Sequence, residues 1–181
     1  MISTNALEYA AGVWGGTYLA KAHGFSASKA ASALALYYAG LALSRFVSGV
    51  LSKHVKTWAR IGIGSSILLS AVVIMLLPLP DWASVLGLAL VGLGNGSIYP
   101  NLIHLTPHNF GKETAQSVMG SLIAFAYVGV MIAPPLVGFF TDAFDMKSYP
   151  FILLGIFVMK MSSLAIFILQ LKKHNKFDKT I

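Results

Sequence analysis

The sequence contains no cysteine, which excludes disulfide frameworks, thiolate metal sites and cysteine nucleophiles together. Charge is scarce as well. Ionised side chains make up 10% of the 181 residues, where a soluble domain carries about 25%. Acids are the scarcest, with 6 Asp plus Glu against 13 Lys plus Arg and a net charge of +7. In a soluble chain that balance would raise nucleic acid as a partner. Here the basic residues fall mostly between apolar runs, so nucleic acid is not expected and a lipid bilayer is.

What the sequence does hold is apolar. Hydrophobic residues make up 56% of the chain, and the mean hydropathy is +0.74. The length accommodates six segments of about 20 residues, each long enough to cross a bilayer. They are expected near residues 6–22, 30–52, 60–79, 82–105, 114–140 and 148–171. No Asp, Glu, Lys or Arg occurs in 61–79, 82–105 or 114–140. The first segment is the most polar, since it carries Glu8 and begins almost at Met1. Short connections leave no room for a second domain, so residues 1–181 are expected to form one membrane domain with a cytoplasmic tail over 172–181. The N-terminus lacks the basic start and small-residue cleavage site of a secretory signal. Trp58 and Trp82 stand near segment ends, where interfacial aromatics belong.

If the segments alternate, one side of the membrane receives eight basic residues: Lys53, Lys56, Arg60, Lys112, Lys172, Lys173, Lys176 and Lys179. The other receives Lys21, Lys29 and Lys147. The positive-inside bias then puts both termini in the cytoplasm, with the plasma membrane as the expected location.

A helix that only anchors needs apolar side chains, and several of these segments carry more. Gly12, Gly15 and Gly16 accompany Trp14 and Tyr18, which are four apart and share a helix face. In the fourth segment Gly92, Gly94 and Gly96 accompany Asn95 and Tyr99, again four apart, with Pro100 next. Ser97, Asn101 and His104 form a second stripe there. Glycines at this density serve either tight helix packing or local opening near a ligand, whereas the polar and aromatic groups point to a polar cavity. Gly15-Gly16-Thr17-Tyr18 and Gly96-Ser97-Ile98-Tyr99 suggest one device used twice, as in a three-plus-three inverted repeat.

Charged groups at membrane depth are functional candidates by default. Glu8 is read either as a titrating or substrate-binding group or as interfacial. Arg45 lies about two turns from the basic loop at Lys53 and can snorkel towards it. Lys160, mid-segment with Ser163 a turn on, either turns inward to a carboxylate or marks a distortion. His104 and His108 are four apart, but Pro107 intervenes and no acid lies in the same turn, so no metal is expected. Gln116, Gly120, Ala124 and Tyr127 form a stripe in the fifth segment, and Pro134-Pro135 should interrupt its hydrogen-bond ladder. Neither His-Glu-x-x-His nor a Gly-x-Ser-Gly setting occurs, so an intramembrane enzyme is not expected. No cofactor is implied.

Together these residues resemble the second half of a major facilitator superfamily transporter, most closely the fucose-permease-like branch that carries sugars. The resemblance rests on Glu8-x5-Trp14-x3-Tyr18-Leu19 and on Leu36-Tyr37-Tyr38-x-Gly40-x4-Arg45-x3-Gly49. Gly92-x-Gly94-x-Gly96-x2-Tyr99-Pro100 and Pro134-Pro135-x2-Gly138-x3-Asp142 extend it. Two positions depart from the family pattern. No acid follows Gly49 in the loop after the second segment, and Ser44 stands where a Gly usually precedes Arg45.

The resemblance implies an all-α membrane fold of six transmembrane helices, half of a twelve-helix carrier, with the first and fourth segments lining a central cavity. Glu8, Trp14, Tyr18, Asn95, Tyr99, Asn101 and His104 are the implied substrate path for a small solute, a sugar by analogy. Gly12, Gly15, Gly16, Arg45, Gly92, Gly94, Gly96, Pro100, Pro134, Pro135 and Asp142 are the implied structural and gating positions. Any proton symport would use carboxylates of the other half. A half-carrier is expected to need that N-terminal half or a second copy of itself. A non-transporting assembly partner or an inactive remnant is the alternative.

Overall fold

The computed structural model describes residues 1–173, apart from the side chains of His108, Lys112 and Glu113. Lys176, Lys179 and most of the expected tail lie outside the described residues. The described residues fold into helices α1 (Ile2–His23), α2 (Ala27–Val50), α3 (Thr57–Leu76), α4 (Asp81–Asn95), α5 (Ile98–His104), α6 (Thr106–Phe110), α7 (Lys112–Phe144) and α8 (Tyr149–Lys173). Short 3-10 turns cover Leu51–Lys53 and Met146–Ser148.

All six expected segments are helical, with shifted ends. α1 begins four residues before the expected start. It stops at Gly24, whose φ of 67° is the left-handed conformation that terminates helices. The amide of Phe25 closes this end on the carbonyl of Leu19 at 3.2 Å. α2 starts three residues early because the Ser26 side chain accepts from the Lys29 amide and caps it. α3 ends at Leu76 rather than Leu79. Pro78 and Pro80 push the residues before them out of the helical region, and Leu77 is already extended with ψ 145°.

Two further expectations need correction. The Pro134-Pro135 pair does not break α7, which runs unbroken over 33 residues. The two prolines withdraw the donors that would meet the carbonyls of Val130 and Met131, but their fixed φ is helical and the turn continues. Nor does the glycine device recur. α1 passes through Gly15 and Gly16 without interruption, while the fourth segment is divided at Gly96 and Ser97 into α4 and α5. That division is shallow, since both residues keep right-handed helical dihedrals.

Five helical stretches are long and apolar enough to cross a membrane: Ala27–Lys53, Thr57–Leu76, Asp81–His104, Thr114–Phe144 and Met146–Lys173. α1 has comparable length, with 22 residues, or ~33 Å at 1.5 Å per residue. Its polar first turns, with Ser3, Thr4 and Asn5 all buried, suit a helix surrounded by protein. It packs against α2, α4, α7 and α8, while α4 packs along α2 and α3. The core follows this arrangement, with Leu7, Leu19, Tyr37, Leu68, Leu88 and Leu153 fully enclosed. Large apolar groups cover the outside, among them Phe46, Met131, Phe139 and Phe144. In water that surface would drive aggregation, whereas lipid is its natural solvent.

Candidate functional site

Three polar nodes interrupt this apolar bundle. The first joins α1, α2, α4 and α8. Glu8 lies ~9 Å from the start of α1 by helical rise, and its carboxylate Oε1 accepts from Nη2 of Arg45 at 2.8 Å. Arg45 Nε donates to the carbonyl of Gly96 at 3.3 Å. The expected snorkelling of Arg45 is thereby corrected: its side chain does not reach for the basic loop but crosses to α1 and to the division between α4 and α5. Asn95, fully buried, donates through Nδ2 to the Thr4 carbonyl at 3.3 Å and to Glu8 Oε2 at 3.5 Å.

Asn95 Oδ1 accepts from Lys160 Nζ at 3.3 Å. Lys160 does turn inward, but it meets an amide rather than a carboxylate, and α8 is not distorted around it. Its ammonium also lies 5.6 Å from the ring centre of Phe157. One carboxylate and two cations therefore share this node.

The α1–α2 seam continues from that node. Tyr37 donates to the Glu8 carbonyl at 2.7 Å and Tyr38 to the Gly12 carbonyl at 3.4 Å. Tyr38 and Arg45 are seven residues apart on one face of α2, as Glu8 and Gly12 are four apart on α1. The seam is open on its outer side: the Arg45 side chain is 46% exposed, and Tyr9, Val13 and Tyr38 are exposed beside it. A charged pair with this exposure at membrane depth cannot face hydrocarbon without a large penalty.

The second node lies where α2 ends and α3 begins. Arg60 is buried, donating through Nη1 to the Ser48 carbonyl at 2.8 Å and its hydroxyl at 3.2 Å, and through Nη2 to Thr57 Oγ1 at 2.9 Å. Asn101 donates to the same Ser48 hydroxyl at 3.0 Å. Arg60 thus belongs to the helix packing rather than to a free basic loop.

The third node is at the opposite end of α1. His23 bonds Asp81 through Nδ1 at 2.8 Å, and through Nε2 it meets both Tyr18 and Ser84 at 2.9 Å. Tyr18 also packs against Tyr149, with ring centres 4.9 Å apart and planes tilted by 32°.

The candidate path residues are therefore spread over several places. Glu8 and Asn95 meet directly. Tyr18 is buried in the third node and Asn101 in the second. Trp14 turns to α7, where its indole donates to the Pro134 carbonyl at 2.9 Å. Tyr99 is half-buried, and His104 is exposed. The side chain of His108 lies outside the described residues. Asp142, Pro100 and Pro135 are exposed at the surface.

The glycines are packing positions. A Cβ on Gly92 would stand 2.1 Å from the Tyr37 carbonyl oxygen, on Gly94 2.5 Å from the Leu68 amide, and on Gly96 2.5 Å from the Leu41 carbonyl. On Gly12 it would meet the Tyr38 hydroxyl at 2.8 Å and on Gly15 Leu88 at 2.8 Å, while Gly16 has ordinary contact with Leu34. Tyr38 and Thr4 were not among the candidates. Tyr38 had a detectable signal, its seven-residue spacing from Arg45, whereas Thr4 acts through its carbonyl and leaves no trace in its side chain.

The fold and this charged seam define a polytopic membrane protein whose interior polar groups join several helices. The family model described as Major Facilitator Superfamily matches residues 2–180, and the chain belongs to that superfamily of transmembrane transporters. Among curated proteins, none matches the chain.

Proposed function

We propose that this chain forms one six-helix bundle of a secondary carrier that moves a small polar solute by alternating access, with its path along the α1–α2 seam. The observation that carries the reading is the Glu8–Arg45 pair, joined at 2.8 Å and open on its outer side. Charges so placed call for a water-filled cavity or a second protein surface against them. An N-terminal bundle of six helices or a second copy of the chain would supply that surface. Tyr9 and Tyr38 border the seam, and their rings and hydroxyls suit a sugar, the solute class favoured by the resemblance to the fucose-permease-like branch. The two halves of the fold are read as an inverted repeat, with Glu8, Asn95 and Tyr99 nearest the path. The bias in Lys and Arg between alternate loops supports cytoplasmic termini and a plasma-membrane location.

The test is uptake of labelled sugars into proteoliposomes, with the chain reconstituted alone over a range of protein densities and with a complementing six-helix bundle. Uptake should require the complement or rise steeply with density. In the active assembly, Glu8→Gln and Arg45→Gln should each lower uptake by about tenfold or more, the loss of a charge-assisted contact. Density-independent uptake by the lone chain would overturn the half-carrier reading.

A further inference from the structure

Lys160 is only 3% exposed, and among the described residues no carboxylate pairs with it. A lysine buried in this way at membrane depth is costly, and its hydrogen bond goes to Asn95. Asn95 is fully buried, and both polar atoms of its amide are used. Its Nδ2 donates to the Thr4 carbonyl and to Glu8 Oε2, which stand one helical turn apart on α1. Its Oδ1 accepts from Lys160 Nζ. Turned the other way, the amide would set its oxygen against two acceptors and its N–H groups against a third donor. Lys160 thus selects the orientation of Asn95 that offers a donor to Glu8. Glu8 in turn is held at both oxygens, Oε1 by Arg45 and Oε2 by Asn95. A chain of donors and acceptors therefore runs from α8 through α4 and α1 to α2.

The geometry points to Lys160 as a positioning residue for the solute path: through Asn95 it holds the Glu8 carboxylate in place against Arg45, with no hydrogen bond of its own to either. Its share in transport rests on the seam being that path. Its hold on Glu8 does not, and is measured on the lone chain.

The probe is phenylglyoxal, which modifies arginine. The chain has two arginines. Arg45 is half exposed in the seam, whereas Arg60, buried and held by three hydrogen bonds, is the internal reference for an intact fold. Modification of each is followed by mass spectrometry on the full chain in nanodiscs. Lys160→Met keeps most of the stem but removes the donor; it should speed modification of Arg45 by about threefold or more, as one charge-assisted contact weakens, and leave Arg60 slow. Lys160→Arg, for which a cavity of about 210 Å³ beside residue 160 leaves room, should restore the slow rate. Asn95→Leu should match Lys160→Met, and the double variant should be no faster than Asn95→Leu alone, because a residue that acts through another adds nothing once that other is gone. Should Lys160→Met fail to fold, Lys160→Ser, too short to reach Asn95, takes its place. In an active assembly the same variants should raise the KM for the solute severalfold with the maximal rate kept, and Lys160→Arg should again restore it. An unchanged Arg45 rate without the donor, equal speeding of Arg45 and Arg60, no rescue by Lys160→Arg, or additive effects in the double variant would each overturn the inference. The expected modification pattern without any uptake would instead overturn the carrier reading alone.

Discussion

Arg60 shows how much one side chain can hold in an apolar bundle. Its guanidinium makes two contacts to Ser48 that join the end of α2 to the start of α3 and a third to Thr57 within α3, and Ser48 passes the connection on to Asn101. Replacing it with Met removes the guanidinium from the Ser48 carbonyl and from Thr57, while Asn101 still reaches the Ser48 hydroxyl. Hydrogen bonds to charged groups contribute about 1.5–3 kcal/mol each in favourable settings. Arg60→Met should therefore lower the melting temperature in detergent by several degrees. Ser48→Ala, which spares the Ser48 carbonyl, should lower it less. Differential scanning fluorimetry of the two variants checks the order, and equal shifts would show that the hydroxyl alone matters. None of this was legible from residue type. Arg60 reads in sequence as one more cation of a basic loop, and only the chain path reveals that its head turns back to α2.

At the scale of elements, the glycines divide into two kinds that look alike in sequence. Gly92 and Gly94 touch the main chains of α2 and α3, whereas a Cβ at Gly120 or Gly155 would meet nothing within 4 Å. Gly92→Ala should push α4 from α2 and abolish the folded species in size-exclusion chromatography. Gly120→Ala should be neutral or stabilising by about 0.5–1 kcal/mol, because the helical backbone there gains from losing glycine's freedom. The six helices themselves were readable, because about 20 apolar residues between polar turns match the thickness of a bilayer. The inward faces were not. A helix between lipid and an apolar core is apolar all round, so periodicity does not mark the buried side. Trp14 and Tyr18, four apart on α1, accordingly meet different neighbours that the sequence did not mark, Trp14 at α7 and Tyr18 at α4 and α8. Glu8 and Asn95 each stood out in the sequence as polar groups at depth, but their contact did not.

For the whole molecule, the absence of cysteine makes sidedness directly measurable. Single cysteines introduced at the exposed positions Ser26 and Lys53 should be labelled by a membrane-impermeant maleimide from opposite sides, Lys53→Cys from the cytoplasm. Labelling of both from one side would refute the alternating arrangement. The way the helices are joined is also uneven. α2, α3 and α5 are linked through Arg60 and Ser48, and α1 to α4 through His23, Asp81 and Ser84. Among the described residues, α7 beyond its first turn has a single side-chain hydrogen bond to the other helices, from Trp14 to Pro134, and otherwise meets α1 through Gly129, Ala133, Val137 and Gly138. Small and apolar residues let the two helices approach closely there, with Gly129 against the Ile2 carbonyl. Side-chain hydrogen bonds thus tie α1 through α5 together, whereas α7 is held mainly by packing. In Trp14→Phe, hydrogen exchange should accelerate along α7 while α2 to α4 keep their protection; uniform acceleration would mean that the molecule moves as one block.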